Sequence, residues 1–344
     1  MNKIVITFLI MGFSGFSAVQ SLAQNNVRVT KAGTSAASFL EIGVGSRAIS
    51  MGGAFVAMAN DATALYWNPA GISRLKSVEL ALVHTEWIAD MKFDFVGVVI
   101  PLGGSHTLGA HITMLNMDEM EVRTILEPEG TGEKFGASDA SLAVSYGVRM
   151  TDRFSIGFNG KMVQQKIWHM TSSTMALDIG TLFTTQFHNL RLGMSISNFG
   201  GKLRLEGLDT SVQHDIDPVR TGNNDKITAS LDTDKWQLPL TFKVGIAFEL
   251  LENEYQRLSL AIDTQHPNNN PESINLGFEY SIQEMIALRA GYQTHFLEES
   301  QEGLSLGGGL TYEIYGGTVM NADYAWTEFG IFNNVHRFSL GLKF

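Results

Sequence analysis

The chain has 344 residues, 44% hydrophobic and 17% charged, with a net charge of −11, 35 glycines, 7 prolines and no cysteine. An acidic chain is unsuited to nucleic-acid phosphates, and the lack of cysteine excludes disulfides, thiolate zinc sites, iron–sulfur clusters and a lipidated N-terminal cysteine. Beyond residue 23 no apolar run reaches the roughly 18 residues of a spanning helix, and the length exceeds one ordinary soluble core, which leaves two domains or one large barrel.

Met1 to Ala23 carries Lys3, an apolar stretch from Ile4 to Gly12, and small residues at Ser21 and Ala23. This is the pattern of a secretory signal peptide cut after Ala23, so the mature protein is expected outside the cytoplasm. Residues 24–76 form a second segment, dense in small side chains (Ala48, Ser50, Gly52, Gly53, Ala54, Ala57, Ala59), that would pack closely inside a lumen. Asp61 is placed to cap a short helix over Ala62 to Trp67, which Asn68-Pro69 ends, and Gly52-Gly53 permits positive φ or a tight backbone approach.

From Ser77 to Phe344 apolar residues alternate with polar or small ones. Leu238, Leu240, Phe242, Val244, Ile246 and Phe248 share one face, against Gln237, Thr241, Lys243, Gly245, Ala247 and Glu249. Such segments give about fourteen strands, starting near 77, 91, 106, 138, 153, 174, 190, 237, 256, 273, 286, 304, 317 and 335. A soluble sandwich also alternates. Three features favour a transmembrane antiparallel barrel. Many segments run about 10 residues, enough to cross a bilayer when tilted. The even-numbered connections are short, whereas the odd ones include Asn116 to Ala137 and the long polar loop Phe199 to Lys235. An even strand count brings both barrel ends to one side. Trp87, Trp168, Trp236, Trp326, Tyr280, Tyr292 and Tyr312 fall near strand ends, as interfacial girdles would. The reading is therefore an all-β outer-membrane barrel (residues 77–344) behind an N-terminal plug with short helices (24–76) and a signal peptide (1–23).

The most distinctive residues are Gly45-Ser-Arg47-Ala48, Met51-Gly52-Gly53-Ala-Phe55-Val-Ala57, Asp61-Ala62 and Tyr66-Trp67-Asn68-Pro69-Ala70-Gly71. This pattern resembles that of the PorV/PorQ family of fatty-acid-transporter-like (FadL-like) outer-membrane barrels. The resemblance implies that the segment around Asn68-Pro69-Ala70-Gly71 is a hatch lining or plugging the barrel. It also implies contact with outer-membrane lipid and lipopolysaccharide, and that some relatives serve type IX secretion by carrying or receiving exported cargo. Terminal Phe344 reads physically as a lipid-facing aromatic at the rim; by resemblance it ends the signal recognised by the barrel-insertion machinery.

Other motifs lack their structural context. Gly43-Val-Gly-Ser-Arg-Ala48 matches a dinucleotide fingerprint but no βαβ pattern follows, and Gly303-Leu-Ser305-Leu-Gly307 matches a nucleophile elbow inside a strand. The nine histidines show no ligand spacing, so no catalytic residue, metal or cofactor is assigned. The acidic groups Asp118-Glu119…Glu121 and Glu298-Glu299…Glu302 read as solvated loops able to bind divalent ions weakly.

Two functions follow. The leading one is a non-enzymatic barrel assisting protein secretion or surface assembly, with Phe199 to Lys235 contacting the partner. The alternative is hatch-gated uptake of a small hydrophobic molecule past Ile49, Met51, Phe55, Met58, Trp67 and Ile72. A plainer channel, lined by the lumen charges Arg153, Lys161, Arg191, Lys243, Arg257, Asp263, Arg289, Asp323, Arg337 and Lys343, stays open as a third option.

Overall fold

The computed structural model describes residues 33–217, 219, 226–295, 302–314 and 316–344. The signal segment, the first residues of the plug, Glu298-Glu299 and part of the 199–235 loop lie outside these. Fourteen strands form one antiparallel ring: β1 Glu79–Glu86, β2 Lys92–Gly103, β3 His106–Asn116, β4 Ala137–Arg149, β5 Phe154–Ile167, β6 Met170–Thr184, β7 Arg191–Gly200, β8 Thr241–Glu252, β9 Gln256–Pro267, β10 Ser273–Ile282, β11 Ile286–His295, β12 Leu304–Ile314, β13 Thr318–Glu328 and β14 Asn334–Lys343. Consecutive strands pair throughout, and β1 closes on β14 from Glu79↔Lys343 to Glu86↔His336. Closure satisfies the backbone of every strand from within the ring, which is what lets strands cross a bilayer.

The alternation has its phase inverted relative to a soluble core. On β4 the outward Leu142 and Val144 are 56% and 63% exposed, whereas the inward Ser141 and Ser145 are at most 1% exposed. Phe158, Phe242, Ile246, Leu288, Leu310 and Phe338 likewise stand on the outer surface. Apolar side chains at these positions suit lipid rather than water, so the outer wall is a bilayer-facing surface.

Inside, residues 33–76 fill the lumen. The chain passes through a 3₁₀ turn (Ser38–Glu41), α1 (Ser46–Ser50), the Gly52-Gly53 turn, α2 (Ala64–Trp67) and a second 3₁₀ turn (Pro69–Arg74). Its apolar residues pack with Phe93 and Phe95 of β2, so the hydrophobic core of the molecule sits within the barrel.

Several local expectations change. β6 begins at Met170 rather than near 174, and β8 at Thr241 rather than near 237. Leu238 and Pro239 precede β8 as buried residues, and proline, without an N–H, cannot donate to a ladder. The sorting of loops by parity is incomplete: the fifth connection is only Trp168-His169, because β5 and β6 run 14 and 15 residues and project beyond their neighbours, and the sixth, residues 185–190, is longer than the first, ninth and thirteenth. The long loops carry their own pairing, Met120–Glu121 with Lys134–Phe135 and Ser211–His214 with Ile227–Ser230. Glu206–Gly207 adds a short edge to β6. Trp87 turns from the lipid belt, packing on Phe329 with ring centroids 5.3 Å apart and lining the lumen.

Candidate functional site

Glycines on the inner wall admit the lumen segment, residues 33–76, which is called the hatch for its place alone. A Cβ on Gly193 of β7 would lie 2.5 Å from the Val56 carbonyl oxygen, and one on Gly277 of β10 would lie 2.5 Å from that of Met51. Gly157 of β5 faces the Pro69–Ala70 peptide, Gly180 of β6 faces Asn68, and Gly291 of β11 faces Gly52. The lumen is thus narrow because strand and hatch backbones touch where any side chain would clash. Gly52 and Gly53 have φ of +63° and +74°, a turn that suits residues lacking Cβ.

Polar side chains join the hatch to the wall. Asn68 is fully buried: its Nδ2 donates to the carbonyls of Val56 (2.9 Å) and Thr181 (3.0 Å), and its Oδ1 accepts from Ala70 N at 3.2 Å. It therefore ends α2, starts the following 3₁₀ turn, and ties both to β6. Pro69 occupies the first position of that turn, where its missing N–H is not needed. Trp67 Nε1 donates to Val44 O at 2.8 Å, and Tyr66 Oη donates to Leu40 O at 3.0 Å. Asp263 of β9 accepts the backbone N–H groups of Phe55 and Val56, each at 2.8 Å, through Oδ2.

Arg47 of α1 is the electrostatic centre of the hatch. It donates to both oxygens of Glu279 on β10 (2.8 and 2.9 Å), to Asp61 Oδ2 (2.9 Å) and to Asn60 Oδ1 (2.6 Å). Glu279 also receives Arg289 Nε at 2.7 Å, and Arg289 reaches Asp323 at 2.6 Å. Burial opposes the Arg47 charge, but Glu279 and Asp61 outweigh it and raise the guanidinium pKa above its ordinary value. Burial, reinforced by Glu41 and Asp178, pushes the Tyr66 phenol up, so it remains a donor. The other Asp61 oxygen accepts Thr63 N at 2.9 Å. Asp61 thus makes the turn leading into α2, which starts at Ala64, two residues later than its sequence suggests.

Two cavities flank the hatch. On the side of the short turns, about 280 Å³ is lined by Arg47, Asp61, Glu79, Arg257, Glu279 and Lys343. On the side of the long loops, about 180 Å³ is lined by Ile42, Ile49, Trp67, Trp87, Lys243, Phe329 and Arg337, among others. Ile49 and Trp67, two of the anticipated ligand contacts, face this second cavity. Met51, Phe55, Met58 and Ile72 do not; they are at most 2% exposed and pack the hatch against the wall. Ala70 is buried, and Gly71 abuts Ala59 O and Ala64. Leu208 and Leu231 of the long loop are exposed. Phe344 is 60% exposed at the short-turn rim, its N–H bonded to Val78 O at 3.0 Å.

Asp263, Glu279 and Arg337 gain roles only in three dimensions. Their sequence signal is a charge in the inward phase of an otherwise small or neutral strand face. His84 and Asp94, ten residues apart, meet across β1 and β2 at 2.7 Å. Ser305 is a buried lumen residue of β12, paired with Gly291, rather than part of an elbow.

A family profile described as uncharacterised protein family UPF0164 matches residues 14–166, which include the hatch and the first five strands. No curated protein matches in sequence. Among solved structures, the CymD monoaromatic hydrocarbon channel aligns at a TM-score of 0.56 and 13% identity, over 88% of this chain and 97% of that one. The fold is that of FadL-like barrels. A Pseudomonas aeruginosa FadL homologue (TM-score 0.54, 11% identity, 88% and 98% covered) and the Ralstonia pickettii toluene transporter TbuX (0.54, 12%, 88% and 97%) agree. CymD is a channel and TbuX a transporter by name.

Proposed function

We propose that this chain is an outer-membrane channel of a Gram-negative-type bacterium that admits small hydrophobic compounds past a movable hatch. The observation that carries this reading is the placement of α1. Arg47 contributes to the cavity on the short-turn side, whereas Ile49, two residues on, contributes to the cavity on the long-loop side. A shift of this one helix would join two spaces it now separates. The likeness to a monoaromatic hydrocarbon channel and a toluene transporter supports the same substrate class.

Ser46 and Ser339 offer a direct test, since their hydroxyls lie 2.8 Å apart between α1 and β14 in a chain that has no cysteine. Replacing both with cysteine should allow a disulfide that pins the hatch. Toluene uptake into proteoliposomes is expected to fall when the pair is oxidised and to recover on reduction. Uptake indifferent to the lock would overturn the hatch as the gate.

A secretion or surface-assembly role of the PorV/PorQ, type IX kind draws its support from the N-terminal motif resemblance and from Leu208 (73% exposed) and Leu231 (57%) on the long loop. Affinity capture from outer membranes with residues 199–235 intact and deleted tests it; an unchanged partner set would remove it. Insertion through Phe344 is tested by its deletion, which should reduce assembled barrel.

A further inference from the structure

Most of the cations lining the lumen are ion-paired. Arg47, Arg257 and Arg289 share Glu279, Lys161 meets Asp178 at 2.8 Å, Arg191 meets Glu249 at 2.6 Å, and Lys343 meets Glu79 at 3.3 Å. Lys243 of β8 and Arg337 of β14 differ. Neither forms an ion pair among the described residues; each instead lies over a tryptophan ring. Lys243 Nζ is 4.6 Å from the Trp67 centroid, and Arg337 Cζ is 5.3 Å from that of Trp87. Arg337 is only 3% exposed and its Nε has no hydrogen-bond partner, while Nη1 donates to Thr327 at 3.1 Å. A ring face recovers only part of the hydration a buried cation loses, so this arrangement favours an incoming anion.

Both cations line the same cavity, the one on the long-loop side. Its own carboxylates are Glu41, whose Oε2 accepts from Asn269 at 3.0 Å, and Glu302. Apolar walls come from Trp67, Trp87 and Phe329. The volume of about 180 Å³ is close to the roughly 150 Å³ that accommodates benzene in an engineered protein cavity, and a long acyl chain would overfill it. A plain hydrocarbon would fill the space yet leave Arg337 Nε without an acceptor, a mismatch that polar sites discriminate against.

We infer that this cavity binds a compact aromatic carboxylate, its ring against the tryptophan walls and its carboxylate at Lys243 and Arg337. The inference rests on the uptake reading for its biological purpose, but binding can be measured separately. Purified protein is titrated with benzoate, toluene and palmitate, following tryptophan fluorescence, and the same compounds are assayed for uptake into proteoliposomes. Benzoate is expected to bind more tightly than toluene or palmitate. Lys243→Met and Arg337→Met should each weaken benzoate about 30-fold or more while leaving toluene nearly unchanged. Lys243→Arg should retain benzoate binding, and unchanged heat-modifiable mobility would show that each variant still forms the barrel.

Benzoate binding no tighter than toluene, or insensitive to both methionine variants, would overturn the inference even if toluene uptake proceeds. Benzoate binding of the expected pattern without uptake of any compound would uphold the site and sink the uptake reading instead. Should the methionine variants fail to assemble, loss of benzoate binding by Trp87→Leu supports the site and its retention overturns it.

Discussion

Glu279 on β10 receives Arg47 of α1 at 2.8 and 2.9 Å, and with that pair a strand in the membrane wall holds the element that fills the lumen. The same carboxylate is shared with Arg289, and Glu279 is only 2% exposed. With Arg257 at 3.7 Å it serves three arginines, whereas Arg47 has two carboxylates, Glu279 and Asp61, and so the two ends of the pair are unequal.

Loss of Glu279 should therefore cost more than loss of Arg47. Glu279→Ala takes the shared counterion from three guanidinium groups, leaving Arg47 only Asp61 and Arg289 only Asp323, and is expected to destabilise the folded barrel by about 3–5 kcal/mol. Arg47→Ala leaves Glu279 with Arg289 and should cost less, yet free α1 from β10. Midpoints of heat-modifiable mobility would rank the variants, and single-channel recording should show added conductance in Arg47→Ala. Equal midpoints would contradict the shared carboxylate.

Asn68 makes a different kind of contact, because both of its donated bonds end on carbonyl oxygens. Asn68→Ala should lower stability by about 1–3 kcal/mol, since buried acceptors lose their donor. Asn68→Asp is nearly isosteric but should be worse than alanine, as it sets a carboxylate without donors against Val56 O and Thr181 O. Limited proteolysis within residues 33–76 would read out the loosening.

Inner-wall glycines should tolerate little. Gly277→Ala brings a methyl to 2.5 Å from Met51 O, so the hatch must shift; raised conductance and earlier melting are expected. Gly160→Ala is the matched control, because a Cβ there meets nothing within 4 Å, and it should behave as the parent chain. If both variants conduct alike, the close approach of hatch and wall is not what seals the lumen.

Glu41 gives a pH dependence whose sign can be worked out. Burial, the largest influence, raises its pKa from 4.5, against the lowering effects of the Asn269 hydrogen bond and Lys243. An acid whose folded pKa lies above its unfolded value is more stable protonated, so its contribution is fully present below about pH 4.5 and declines as pH rises through the folded value. Melting midpoints measured across that interval should fall less steeply in Glu41→Gln than in the parent. A steeper fall would reverse the assignment.

The strands were legible because lipid and lumen impose opposite demands on successive residues, and that local rule repeats along β4 and β8. Boundaries were less so. Leu238 continues the alternating pattern of β8 although it lies buried ahead of the strand, and only the pairing of Thr241 with Ser197 and Pro267 fixes the start. The hatch was visible as a break in alternation, and its turns at Gly52-Gly53 and Asn68-Pro69 follow from local backbone chemistry. What Asn68 holds was not visible, since Thr181 is 113 residues away. Lys243 and Arg337 look like ordinary inward charges until Trp67 and Trp87 are placed beneath them. The sequence can show that a charge points inward, whereas its partner depends on which strands the ring brings opposite the hatch.

The glycine-lined lumen also constrains the order of assembly. Residues 33–76 touch the inner faces of β5, β6, β7, β10 and β11, while the last seam, between β1 and β14, joins residues from opposite ends of the ring. A finished cylinder would present no side entrance to a segment that must thread between opposing backbones. A barrel begun at Glu79 is therefore expected not to be resealed by a peptide spanning 33–76 added after closure. The wall and its stopper are thus fitted to each other backbone to backbone, and neither face can be altered without the other.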